Sequence, residues 1–174
     1  MAVICYDHQR FPHRFLKRNI IRDIMSGKSG FMEIIMEYYR KAKEIIDMDA
    51  TEFIGGVSEY EIENAMTALS VTFPESYKTF LSDFGGGDAG GEIIFGITNN
   101  EEDDVVIATQ MERNQGLPEK LIIIGFWDDT LVCLDTGKMN DGECPVVEVN
   151  DDYSRAELVA HSFGKFLYEY LDEE

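Results

Sequence analysis

The sequence predicts an α+β fold, a single domain in which an antiparallel β-sheet packs with about four helices. Segments of helical period with start and stop signals fill residues 31–84. Four short β-branched runs follow, "GEIIFGI", "KLIIIGF", "TLVCLD" and "PVVEVN", and an amphipathic segment closes the chain. Helices, then a meander, then one helix is the order of an α+β domain rather than of repeated parallel βαβ units. A length of 174 residues with 44% hydrophobic content suits one core, burying roughly 70% of the unfolded surface at this size.

Residues 1–30 stand apart in charge. Arg10, Arg14, Lys17, Arg18, Arg22 and Lys28 face only Asp7 and Asp23 there. "FPHRFLKRNIIRDIM" has the pattern of a basic amphipathic helix, and "SGKSG" (Ser26–Gly30) reads as a flexible joint. The segment is an appendage, an expression remnant or an upstream start, and the domain proper is expected over 31–174. Its first helix carries Ile34, Ile35, Tyr38, Ala42, Ile45 and Ile46 at helical spacing. The second starts at Ser58, where Ser58 and Glu61 form a capping box and Val57 staples to Ile62. The third has Pro74 in its first turn and an apolar stripe of Tyr77, Phe80, Leu81 and Phe84, and Gly85 ends it.

The second, third and fourth runs are joined by hairpin-type connections, so antiparallel pairing is expected. Trp127–Asp129 reads as a hairpin turn and Gly137–Glu143 as a longer loop. The last helix is expected to begin at Ser154, with a capping box to Glu157, a Tyr153–Leu158 staple and an inner face of Val159, Phe163, Phe166, Leu167 and Tyr170.

Net charge is −19. After residue 30 the chain holds nine bases against 32 acids, a body charge of −23. Such a body repels nucleic acid, so direct DNA or RNA binding is not expected, and it attracts a basic partner. The plainer reading of the acidity is solubility. No apolar run approaches the ~20 residues of a membrane span, and a cytoplasmic protein without a membrane role is expected.

Catalytic and cofactor motifs are not found. The Walker phosphate loop requires glycine where Arg22 precedes "SGKSG", and the segment before it reads as helix rather than strand. The Gly85–Gly91 loop follows a helix and precedes a strand, so no helix N-terminus faces it, and Asp88 would repel phosphate. An EF-hand alignment on Gly142 places Gly137 and Met139 where carboxylates are needed. Cys5, Cys133 and Cys144 lack zinc-site spacing, and Cys133 reads as a small buried hydrophobe. His161 reads as a surface residue of the last helix. No enzyme activity, cofactor or metal site is expected.

The stretch "GGVSEYEIENAMTALSVTFPESYKTFLSDFGGG", Gly55 to Gly87, resembles the SUKH superfamily, the Smi/Knr-type domain. The shared features are Gly56, Ser58–Glu61, Leu69, Phe73–Pro74, Tyr77, Phe80–Leu81 and Gly85–Gly87. The chain departs in having Phe73 before the proline and Phe84 before the glycines. "IIIGFWDDTLVCLD" and "CPVVEVN" also resemble the family's sheet region. The resemblance implies a non-enzymatic α+β domain. Bacterial members commonly serve as immunity proteins that neutralise a polymorphic toxin, often a nuclease; others are regulatory or scaffold modules. A basic, nuclease-type cognate toxin is therefore the expected partner. The expected contacts are acidic loops with aromatic anchors: Glu101, Glu102, Asp103 and Asp104; Trp127 with Asp128 and Asp129; and Tyr153 with Asp151 and Asp152. The competing readings place Trp127 in the core and make Tyr153 a helix staple.

Overall fold

The computed structural model describes residues 28–48, 53–89, 91–98, 101–127 and 130–172. The expected basic N-terminal helix lies outside these residues. Helix α1 (Lys28–Met48) starts inside the expected joint, so Lys28–Gly30 is helical rather than a hinge. It buries Ile35, Tyr39, Ala42 and Ile46; Tyr39, not Tyr38, is the inner tyrosine.

Helix α2 (Glu59–Leu69) is capped as expected: Ser58 Oγ accepts the Glu61 N–H at 3.3 Å and Glu61 Oε2 accepts the Ser58 N–H at 2.9 Å. Ile62, Ala65 and Leu69 form its buried stripe. In α3 (Glu75–Phe84), Pro74 stands one place earlier than expected, at the N-cap, and the Gly85 N–H closes the last turn on the Leu81 carbonyl at 3.0 Å. Tyr77, Phe80, Leu81 and Phe84 are buried. The Tyr77 ring packs on Phe73, Phe80 and Phe163, and its hydroxyl donates to the Phe95 carbonyl at 2.8 Å.

The glycine loop feeds a two-stranded antiparallel ladder, β1 (Gly87–Ala89) with β2 (Glu92–Ile94). It holds a close backbone crossing. A Cβ on Gly96 would lie 1.6 Å from the Gly85 carbonyl oxygen, so only glycine permits the approach. Helix α4 (Val105–Arg113) follows. The sequence reading assigned no element between Ile97 and Lys120; the β-branched opening, Val105-Val106-Ile107, is a weak helix former.

The main sheet is a four-stranded antiparallel meander of β3 (Leu121–Trp127), β4 (Thr130–Asp135), β5 (Val146–Val149) and β6 (Ala156–Ala160). Helix α4 lies against β3, and α5 (Phe163–Asp172) packs on the other side with α1. Strands β3 and β4 are therefore covered on both faces, which is why they read as unbroken apolar runs.

The expected helix start at Ser154 is overturned. Residues Ala156–Ala160 are the edge strand β6, and α5 begins only at Phe163. Local polar groups make Asn150–Arg155 a hairpin turn instead. Asn150 Oδ1 accepts the Arg155 N–H at 2.9 Å, Asp152 Oδ1 accepts the Ser154 N–H at 2.9 Å, and Tyr153 adopts φ +57°. The Ser154 hydroxyl accepts from Asn150 Nδ2, so it does not cap a helix. Ser162 caps α5, its Oγ accepting the Lys165 N–H at 3.3 Å. His161 consequently sits on the surface before the helix rather than within it.

A buried carboxylate joins three elements. Glu143, 2% exposed, accepts from the Ser76 N–H and the Ser76 hydroxyl, both at 2.8 Å, and the Gly164 N–H donates to Ser76 Oγ at 3.1 Å. The β4–β5 connection thus satisfies the start of α3, and α3 in turn satisfies the start of α5. Burial pushes the Glu143 carboxyl up from 4.5 to about 7; the Ser76 hydrogen bonds and Lys78 pull it down, and Glu75 adds to the rise.

Two predictions follow from these contacts. Gly96→Ala drives a Cβ into a backbone oxygen that cannot step aside, and the loss in a urea titration should exceed about 3 kcal/mol. For Glu143, the raised folded value means that its neutral form favours folding. That contribution is complete below pH 4.5 and disappears as pH rises to about 7. Melting temperature should therefore fall over this window more steeply in the wild type than in Glu143→Gln. Parallel curves would remove Glu143 as the cause.

Candidate functional site

The site is set by the geometry of β3. Ile123 pairs with Cys133, but Gly125 pairs with Val132, so Ile124 is an extra residue in the ladder. Its carbonyl accepts the Phe95 N–H at 2.8 Å, tying β3 to the segment just after β2. Beyond the bulge, Phe126 pairs with Leu131 and Trp127 with Thr130. The inserted residue shifts the alternation by one, so Trp127 faces α5 and Phe126 faces the α4 side.

Trp127 is 5% exposed, with its ring 5.0 Å from Phe166 and 5.1 Å from Tyr170. The expected surface anchor is thus a core residue, and its neighbour takes the outer position: Phe126 is 47% exposed. The Phe126 ring lies 5.8 Å from Phe95, and Ile93, two residues from Phe95 on the same strand face, is 45% exposed. Phe126 and Ile93 escaped the sequence reading, because β3 reads as an unbroken apolar run and the bulge at Ile124 sets which of its aromatic side chains faces out.

The acidic candidates divide. Glu101 and Glu102 are exposed on the turn before α4. Asp103 is half-buried, accepting the Thr98 hydroxyl at 2.7 Å, and its carbonyl accepts the Gly96 N–H at 3.2 Å. Asp104 departs from the expectation of a surface contact. It is 7% exposed and caps α4, accepting the N–H groups of Thr98, Val106 and Ile107 at 3.1, 2.9 and 3.0 Å. Asp128 and Asp129 lie outside the described residues. Asp151 and Asp152 are exposed; Asp152 organises its turn, and the Ser154 hydrogen bonds hold its carboxyl below the usual range.

Tyr153 does not staple a helix. It is half-buried, and its hydroxyl donates to the Glu112 carboxylate of α4. That bond, with a smaller part from burial, pushes the phenol up to about 12, so it remains a donor at neutral pH. Glu112 and Tyr153 both lie near Cys133, two residues along β4 from Leu131, the partner of Phe126. Tyr153, Glu112 and Phe126 therefore share one face of the sheet. Helix α4 joins the 101–104 turn to Tyr153, and its nine residues span about 13 Å.

Other features carry less chemistry. Among the described residues, no group of three or more His, Cys, Asp or Glu side chains could hold a metal ion. Burial pushes the Cys133 and Cys144 thiols well up, which makes them poor nucleophiles. An open groove of about 600 Å³ lies between the end of α2 and the β4–β5 connection. Its lining includes Met66, Val71 and Met139, and its charged groups are Glu63 and Lys120. No described helix is long and apolar enough to cross a membrane.

Tyr153→Phe should lower stability by about 1–2 kcal/mol, because a part-buried hydrogen bond to a carboxylate is lost. Denaturant unfolding of Tyr153→Phe and Glu112→Gln, singly and together, checks it: losses that simply add would dismiss the pairing.

The helix-rich first half, the glycine crossing and the four-stranded meander all fall within one continuous match. Residues 32–172 fit the family model SUKH_5, described as SMI1-KNR4 cell-wall. The chain belongs to this family of Smi/Knr-type domains within the SUKH superfamily.

Proposed function

We propose that the protein is a cytoplasmic, non-enzymatic immunity protein that binds and neutralises a basic, nuclease-type bacterial toxin. The observation that carries this reading is the charge: 32 acids against nine bases after residue 30, in a chain of the Smi/Knr family. A nuclease grips phosphates with a basic cleft, and an acidic protein is drawn to that cleft by long-range attraction. Two unit charges 10 Å apart in water attract by only ~0.4 kcal/mol, but many acting together raise association rates strongly. The exposed candidates on this reading are Glu101, Glu102, Asp151 and Asp152, with the half-buried Asp103 and Tyr153 beside them.

The cell-wall description of the matching family favours a second reading, a regulatory or scaffold module that binds envelope or signalling proteins. Co-expression with the toxin encoded beside the gene separates the two. Restored growth supports neutralisation, and continued killing at full expression supports the scaffold reading. For the purified pair, the association rate should fall about tenfold or more between roughly 20 mM and 500 mM salt while dissociation changes little. Salt-independent association would mean that charge does not guide the encounter.

A further inference from the structure

We infer that Phe126 and Ile93 form the apolar anchor of the partner-binding face, and that the partner offers an apolar pocket rimmed by lysine and arginine. This rests on the neutralisation reading and assigns it a surface. The exposed large hydrophobics Met48, Ile54, Tyr60, Met111 and Leu158 come from separate parts of the chain, whereas the Phe126 ring lies 5.8 Å from the buried Phe95 ring and the Ile93 backbone runs beside Gly125, where a Cβ would stand 3.1 Å from the Ile93 carbonyl oxygen. An aromatic and a β-branched side chain, each nearly half open to water, make a small apolar spot of the kind that dominates binding energy once covered.

The spot is held rigidly. The Phe95 N–H donates to Ile124 at 2.8 Å and the Phe95 carbonyl accepts the buried Tyr77 hydroxyl at 2.8 Å, so both backbone groups beneath it are fixed. A fixed platform loses little freedom on association. Acids border it. Asp88 stands directly opposite Ile93 across the β1–β2 ladder. The turn bearing Glu101, Glu102 and Asp103 closes on Gly96, next to Phe95, through Gly96 N–H to Asp103 at 3.2 Å and Val105 N–H to Gly96 at 2.7 Å. An apolar centre within a carboxylate rim complements a cationic protein surface. It is poorly matched to a second copy of this chain, which would bring the same carboxylates against it.

The test uses the full-length protein and the toxin domain encoded beside its gene, with binding followed by surface plasmon resonance. Phe126→Ala with Ile93→Ala should weaken binding at least ~30-fold, chiefly through faster dissociation, and leave the salt slope unchanged. Glu101→Gln with Glu102→Gln should instead slow association and flatten that slope. Amide exchange on the wild-type complex, which requires no variant, should show new protection at 93–96 and 121–127. Anchor-variant affinity within about twofold of wild type would overturn the inference while leaving neutralisation standing. Protection confined elsewhere would do the same. A wild-type dimer that the anchor substitutions dissociate would overturn it in favour of a self-interface. A wild type that never binds the toxin overturns both this inference and the reading on which it rests.

Discussion

The extra residue at Ile124 decides which aromatic side chain of β3 meets solvent. Before the bulge, Ile123 stands opposite Cys133 on the α4 side of the sheet. With uninterrupted alternation Trp127, four residues on, would share that side and Phe126 would point toward α5. The inserted residue exchanges them. Trp127 completes the stack with Phe166 and Tyr170, and Phe126 is left over Phe95 at the surface. Gly125 makes room for this: a Cβ there would lie 3.1 Å from both the Ile93 carbonyl and the Trp127 indole nitrogen. One local irregularity thus assigns one ring to the core and leaves the other at the surface.

The surroundings hold that arrangement from two directions. The Gly85–Gly96 crossing fixes the chain beneath Phe95. The Glu143–Ser76–Gly164 relay locks the starts of α3 and α5 to the β4–β5 connection, so the helix that receives Trp127 is itself anchored. A buried carboxylate is a costly way to join elements, since its charge is poorly solvated. Here its two oxygens accept from both the backbone and the hydroxyl of Ser76, which offsets part of that penalty.

Much of the fold was legible because its signals are local. The Ser58 capping box, the stop at Gly85, the stripe of α3 and the β-branched runs of β3 to β5 each depend on a few adjacent residues, and the structure places all of them near the expected positions. The misreadings arose where two local signals compete. Ser154 and Glu157 match a capping box, but Asp152 accepts the Ser154 N–H that the box would need, Asn150 accepts the neighbouring Arg155 N–H, and the chain turns into β6. Residues 105–113 carried no expected element, since their β-branched start hides the helix that Asp104 caps. The exposure of the β3 aromatics was the least legible part. Charge is visible in composition, but whether Trp127 or Phe126 faces water depends on a bulge that shows only in the pairing with β4.

A surface made of carboxylates alone would attract basic proteins without choosing among them, because screened charges discriminate poorly at contact distance. In the proposed interface an apolar centre would supply shape, and the acids would supply approach. That division of labour holds only if the single tryptophan is inside and Phe126 is outside. Fluorescence of Trp127 with acrylamide quenching measures this directly on the unmodified protein. The account predicts blue-shifted emission that acrylamide barely quenches, while emission and quenching like those of free tryptophan would place Trp127 in solvent and contradict the assignment.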